Sequence, residues 1–264
     1  DDGLDDPIAT ENLRKLVEKT GVTMVIIQPD MAEYRDVLRS LLKGSLPNLA
    51  IAQDNLIVKA LQDYAKENRI RYSLDGNNIA HESILERGRG INFNDGKFIK
   101  AVQKKFGEQP LVHTQFLTLT DRYLKRRHSG VIHLRPLNNM PYDIRGAIHA
   151  LAEFCGFQSI LTRFLQCYYL PTKFSKDKRK SHYSSLIVSG QMTREEALAL
   201  LEKPLYPSEE LLQADKQFLA DYCGVSLDIF ESWLALPPRE EYSIPHSALN
   251  HIAPLARKFR RFIE

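Results

Sequence analysis

The chain has 264 residues, 43% of them hydrophobic and 26% charged, a balance that suits a globular fold and excludes wholesale disorder or a collagen-like architecture. Thirty-six Lys and Arg against 33 Asp and Glu leave a net charge of +3, too little to mark a nucleic-acid partner by bulk electrostatics. The longest apolar run, residues 22–27, is far short of the roughly 20 residues of a membrane span. Cys155, Cys167 and Cys223 are too scattered for a disulfide framework or a zinc pair. The expectation is a cytoplasmic protein with no membrane span. Residues 1–7 read as the loop after a strand, so a further N-terminal element is expected ahead of them.

In chain order, Asp6 with Pro7 opens a helix whose apolar stripe is Ile8, Leu13, Leu16 and Val17, and Gly21 ends it. Residues 22–27 (VTMVII) form a continuous apolar run, the pattern of a strand buried on both faces of a parallel sheet. A helix through Tyr34, Val37, Leu38, Leu41 and Leu42 follows, and Asp54 opens another containing Leu56, Ala60, Leu61 and Tyr64. Residues 70–74 are the next strand. Gly88, Gly90, Gly96 and nearby Gly107 mark residues 87–97 as loop. The last strand covers residues 131–134.

Beyond Asp143 only helices are expected, over 143–155, 159–169, 176–189, 193–202, 208–223 and 226–235. Gly190 closes one of them, and Thr193 with Glu196 forms a capping box for the next. Pro237-Pro238 ends the helical part. This order predicts an α/β fold, a parallel sheet with right-handed crossovers, followed by a helical subdomain. The expected divisions are 1–142, 143–236 and a basic tail, 237–264, carrying Arg257, Lys258, Arg260 and Arg261.

Ligands of open parallel sheets bind beyond the carboxyl ends of strands, which selects residues 1–6, the turn at 75–82, and Arg135. At that turn Gly76, Asn77 and Asn78 lead into a helix through Glu82, where free N–H groups would favour an anion; an ordinary Asn-rich capped turn is the alternative. Arg135 could clamp a phosphate or carboxylate, or be an ordinary ion-paired arginine. Lys178, His182, Ser185 and Ser189 fall at i, i+4, i+7 and i+11 on one helical stripe next to Arg179. Cation, imidazole and hydroxyls on one face suit anionic substrate groups; a solvated basic face is the plain alternative. His113, His128, His133, His149, His246 and His251 show no metal-ligand spacing.

The segment FLQCYYLPTKFSKDKRKSHYSSLIVSGQMTREEA at 164–197 resembles the C-terminal signature of N-acetyl sugar amidotransferases of the WbpG/PseA type. Four further segments agree: DDGLDDPIATENLRKLV at 1–17, PNLAIAQDN at 47–55, GNNIAHE at 76–82 and RPLNNMPYD at 135–143. The resemblance implies a PP-loop ATP pyrophosphatase of Rossmann-like, adenine-nucleotide α-hydrolase fold. Such a protein uses ATP, with Mg2+, to convert an N-acetyl group of a nucleotide-activated sugar to an acetamidino group. The setting would be lipopolysaccharide O-antigen or flagellar glycan synthesis, with ammonia from a glutaminase and a cyclase-like partner. It implies nucleotide contacts at Asp2, Gly3, Gly76, Asn77, Asn78 and Glu82. Substrate contacts are expected at Arg135, Arg163, Lys178, Arg179, His182, Ser185 and Ser189. The family's SGGxDS loop and N-terminal cysteine cluster are absent from the sequence, so the α/β domain reads as lacking its N-terminal strand and PP-loop. The family's Gly-Gly-Lys-His-Tyr-Glu-like stretch is also absent between Gln158 and Ser159. A PP-loop tRNA-modifying enzyme and a degenerate nucleotide-binding module are the other readings.

Overall fold

The first helix, α1 (Pro7–Thr20), starts and stops where its sequence says it should. The Asp6 carboxylate accepts from the Ile8 N–H, Pro7 sits in the first turn, and Gly21 ends the helix at φ +67°, a left-handed conformation that side chains disfavour. The computed structural model describes residues 1–84, 90–121, 131–144, 146–147 and 159–252. The stripe of α1 finds no sheet to cover it: Ile8, Leu13 and Leu16 are exposed, and Ala9 is the one buried residue of the helix.

Residues 22–27 correct the expected buried strand. They join no ladder, and Val22, Met24, Val25, Ile26 and Ile27 are all exposed. A parallel strand needs a neighbour to pair its backbone and cover its faces, and no described residues pair with this run. The other two expected strands do meet. β1 (Tyr72–Leu74) and β2 (Ile132–Leu134) pair in parallel, in register Tyr72↔Ile132 through Leu74↔Leu134. This two-stranded ribbon is the only sheet among the described residues.

Between them lie the helices. α2 (Met31–Lys43) is capped by Asp30, which accepts from the Ala32 and Glu33 N–H groups, and it buries the expected face of Tyr34, Val37, Leu38, Leu41 and Leu42. α3 (Ile51–Glu67) begins three residues before Asp54, because the Asn48 side chain holds the Ala50 N–H and turns the chain earlier. α4 (Ile79–Glu82) is a single turn capped by Asn78. α5 (Gly96–Phe106) corrects the reading of residues 87–97 as loop throughout: Asp95 caps it and Phe98, Ile99 and Val102 are buried at helical spacing. Gly96 serves close packing here, since a Cβ would lie 2.7 Å from the Phe116 side chain and 2.8 Å from the Leu117 carbonyl.

The C-terminal helices follow their sequence signals closely. α6 (Ile160–Phe164), a π turn (Leu165–Tyr169) and α7 (Leu170–Phe174) run on as one rod, which the π turn lets pass Pro171. Then come α8 (Arg179–Val188), α9 (Arg194–Leu201), α10 (Glu209–Tyr222) and α11 (Leu227–Ala235). The Thr193–Glu196 capping box is fully formed. The expected helix over 143–155 lies mostly outside the described residues.

Among the described residues one apolar core joins the first half to α6, α7, α10 and α11. Leu4, Val37, Leu41, Phe98 and Val102 share it with Phe164, Leu219 and Phe230, so α6, α10 and α11 pack onto the first half. Residues 237–252 are not a free tail. The Arg239 N–H donates to the Ser45 carbonyl, and buried Glu241 accepts from the Ile91 N–H. Arg257, Lys258, Arg260 and Arg261 lie outside the described residues.

Buried carboxylates hold the loops to these helices. Glu33 accepts from the N–H groups of Val112, His113 and Thr114 at 2.6–2.8 Å. Burial raises its pKa, but those donors outweigh it and hold the carboxyl at about 2. Asp36, fully buried, accepts from Gln103 and from the Glu108 and Gln109 N–H groups, and pairs with Arg39.

Candidate functional site: a seam between α4 and α8

Three of the segments singled out by resemblance converge at one place. At the carboxyl ends of the paired strands, Arg135 Nε donates to Asp75 Oδ2 at 3.0 Å. The Asn77 N–H donates to Asp75 Oδ1, and with the Arg135 guanidinium it holds that carboxyl below the usual carboxylate range. The Ile79 N–H donates to Asn138 Oδ1 at 2.8 Å, joining residues 76–82 to residues 135–143. Gln191 closes the third side by donating to the Tyr142 carbonyl and accepting from the Ile144 N–H, both at 3.0 Å.

The stripe on α8 faces this turn. Ser189 Oγ donates to the Ala80 carbonyl, and Ser185 Oγ accepts from the Ile84 N–H, each at 3.0 Å. The imidazoles of His81 and His182 stack with centroids 5.1 Å apart. Burial, with His81 and Lys178 alongside, holds His182 below its ordinary 6.5, so it is neutral at pH 7. The Lys178 ammonium has no ion pair or hydrogen bond to another described residue.

The expected site residues therefore divide. Gly76, Asn77, Asn78, Glu82, Arg135, Lys178, His182, Ser185 and Ser189 lie on or beside the seam. Ser185 and Ser189 serve it by binding backbone, which commits their hydroxyls. The turn also satisfies itself: Asn78 Oδ1 takes the His81 N–H, and nothing lies within 4 Å of where a Gly76 Cβ would be, so no close backbone approach explains that glycine.

Four expected ligands are engaged within the fold. Arg179 donates to Asp177 and to the carbonyls of Leu200, Leu201 and Lys203, so all five of its N–H donors are engaged in fastening the end of α9. Arg163 makes a two-pronged pair with Asp215 at 2.7 Å and a third bond to Asp6 at 3.3 Å, and Tyr206 donates to the same Asp215. Asp2 is buried and accepts from Tyr34 at 2.9 Å, Gln53 at 2.8 Å and the Leu4 N–H. Gly3, at φ +73°, abuts Met31 and Tyr222. Asp2 and Gly3 thus belong to a junction of α2, α3 and α10, and no hydrogen bond links them to the α4 turn.

His81, Asn138 and Gln191 were missed as site builders. Their only sequence signal is membership of the segments 76–82, 135–143 and 164–197. Among the described residues no three His, Cys, Asp or Glu side chains gather to hold a metal, and no helix is long and apolar enough to cross a membrane.

Residues 158–255 match the family model described as LPS biosynthesis protein WbpG-like, C-terminal domain. The span covers α6 through the docked segment after α11 and includes the α8 stripe. The helical half of the molecule thus resembles a domain of lipopolysaccharide-biosynthesis proteins, and the kind it resembles is the WbpG-like one. No curated protein and no solved structure gives a significant match to the chain.

Proposed function

We propose that the protein is an ATP-dependent amidotransferase that converts an N-acetyl group of a nucleotide-activated sugar to an acetamidino group in the synthesis of lipopolysaccharide O-antigen or a related surface glycan. The observation that carries this reading is the WbpG-like match over residues 158–255. The seam supports it, because the turn at 76–82 and residues 135–143 hydrogen-bond to the matched domain.

The chemistry needs an activated amide oxygen, since that oxygen is a poor leaving group. ATP would supply the activation: the acetamido oxygen takes up the AMP moiety with release of pyrophosphate, ammonia adds to the carbon, and AMP leaves with the oxygen. The chain's own part is to bind anionic groups and hold protons. Lys178 supplies a cation unpaired among the described residues, and neutral His182 can accept a proton from the attacking nitrogen. Mg2+ would arrive on the nucleotide phosphates, because it commonly needs only one or two protein carboxylates, and Glu82 is the carboxylate at hand. Ammonia would come from a glutaminase and a cyclase-like partner, in a Rossmann-like α/β setting of which the β1–β2 pair is one part. The test is turnover of the full protein with nucleotide-activated acetamido sugar, ATP and ammonium. AMP release that requires both sugar and ammonium is expected; release indifferent to either would overturn the proposal.

A further inference from the structure

We propose that His246 and His251 form a binding site for a divalent transition cation of the Zn2+ or Cu2+ class. Their Nε2 atoms lie 2.8 Å apart, face to face. His246 Nδ1 lies 2.8 Å from the Ile244 carbonyl, which can only accept, so Nδ1 carries the proton and Nε2 presents a lone pair. That is the arrangement by which a backbone carbonyl orients a metal-ligating histidine. Across the 2.8 Å contact His251 Nε2 therefore donates to that lone pair. A cation takes the place of this proton, which moves to His251 Nδ1, and a small opening of the pair puts it about 2.0–2.1 Å from each nitrogen.

The pair is held ready by its surroundings. Asp95 Oδ2 accepts from the Ser247 N–H at 2.8 Å and from Asn250, while Asn250 Oδ1 accepts from the Asn92 N–H at 3.1 Å. Ile244 is buried and Glu241 bonds the Ile91 N–H, so the backbone on both sides of His246 is fixed to residues 91–95. The Tyr242 ring sits 5.1 Å from His246 and 5.4 Å from His251, limiting how either imidazole can turn. Ordering two ligands usually weakens a two-histidine site, and here the fold has already ordered them. Water completes the coordination. The role this gives the cation is a staple between residues 246 and 251, within the segment that Asp95, Asn92 and Ile91 already hold in place.

The test uses the whole chain without a histidine tag. Zn2+ is titrated by calorimetry, and the Cu2+ form is examined by electron paramagnetic resonance, in wild type, H246A and H251Q. One site is expected in wild type, with two imidazole nitrogens on the copper and affinity at least about tenfold lower in each variant, the size of loss that even supporting residues of metal sites produce. H251Q keeps a polar side chain and leaves the Ile244 and Asp95 bonds intact, so its loss would report on the ligand. Absence of binding in wild type, a one-nitrogen copper spectrum, or equal affinity in wild type and H251Q would overturn the site and leave a simple imidazole–imidazole hydrogen bond.

Discussion

The junction around Arg163 and the seam around Lys178 draw on the same residue types, cations beside carboxylates and hydroxyls, yet they differ in how far those groups are committed. At the junction Arg163, Asp215, Asp6 and Tyr206 satisfy one another out of water, with the Arg163 side chain 11% exposed and Asp215 4%. At the seam Lys178 has no ion pair among the described residues and His182 stays neutral, while the serines, Asn78, Arg135 and Arg179 are engaged by backbone or by Asp75 and Asp177. A basic residue in a dense polar segment is therefore no guide to binding until its donors are counted. Arg179 and Lys178 are neighbours in sequence and opposites in availability.

The largest expected effect lies in the closed region. Asp215→Ala leaves a buried guanidinium with Asp6, at 3.3 Å, as its one remaining carboxylate, and about 3–5 kcal/mol of stability should be lost. Urea unfolding reads this directly, and an unchanged midpoint would show that Arg163 was free to turn outward, erasing the contrast.

Glu33→Gln is next, at about 1–3 kcal/mol, because three backbone donors lose a carboxylate. The sign of its pH dependence follows from a folded pKa of about 2 against an ordinary 4.5. The stabilisation is present above pH 4.5 and lost as pH falls towards 2, so the variant should show a flatter acid limb than wild type. Parallel acid limbs would mean that Glu33 is not charged where it sits.

The two neighbours at the start of α8 sharpen the comparison. Arg179→Ala should lower stability by about 1–3 kcal/mol, as three carbonyls and Asp177 lose their donor. Lys178→Ala should move stability by no more than about 0.5 kcal/mol while lowering turnover in the proposed amidotransferase reaction roughly tenfold or more. Reversed outcomes would make Lys178 structural and return the seam to a packing contact.

The smallest effect is expected at Gly76. Its Cβ position is open, so Gly76→Ala should stay within about 0.5 kcal/mol in stability. A large loss of turnover without a loss of stability would instead reveal a ligand that approaches the backbone there.

Many of the helices are legible from sequence because helix ends are local chemistry. Asp6, Pro7, Gly21, Thr193, Glu196 and Gly190 set their boundaries through bonds spanning two to four residues. The spacing of Lys178, His182, Ser185 and Ser189 likewise puts them on one face, and that face meets the α4 turn. The same local signal existed for α5, where Phe98, Ile99 and Val102 follow Asp95, but the surrounding glycines masked it.

Only the tertiary structure decides what those residues do. The partners of Arg163 and Asp2 lie 52, 157, 32 and 51 residues away, distances at which no spacing rule operates. Residues 22–27 carry a strand pattern, yet pattern alone supplies no neighbour to pair with, and the side chains remain exposed. Sequence by itself determined where helices begin and which residues share a face, because those depend on adjacent backbone. The fold decided which donors remain free, because a hydrogen bond already made across the chain leaves nothing for a ligand.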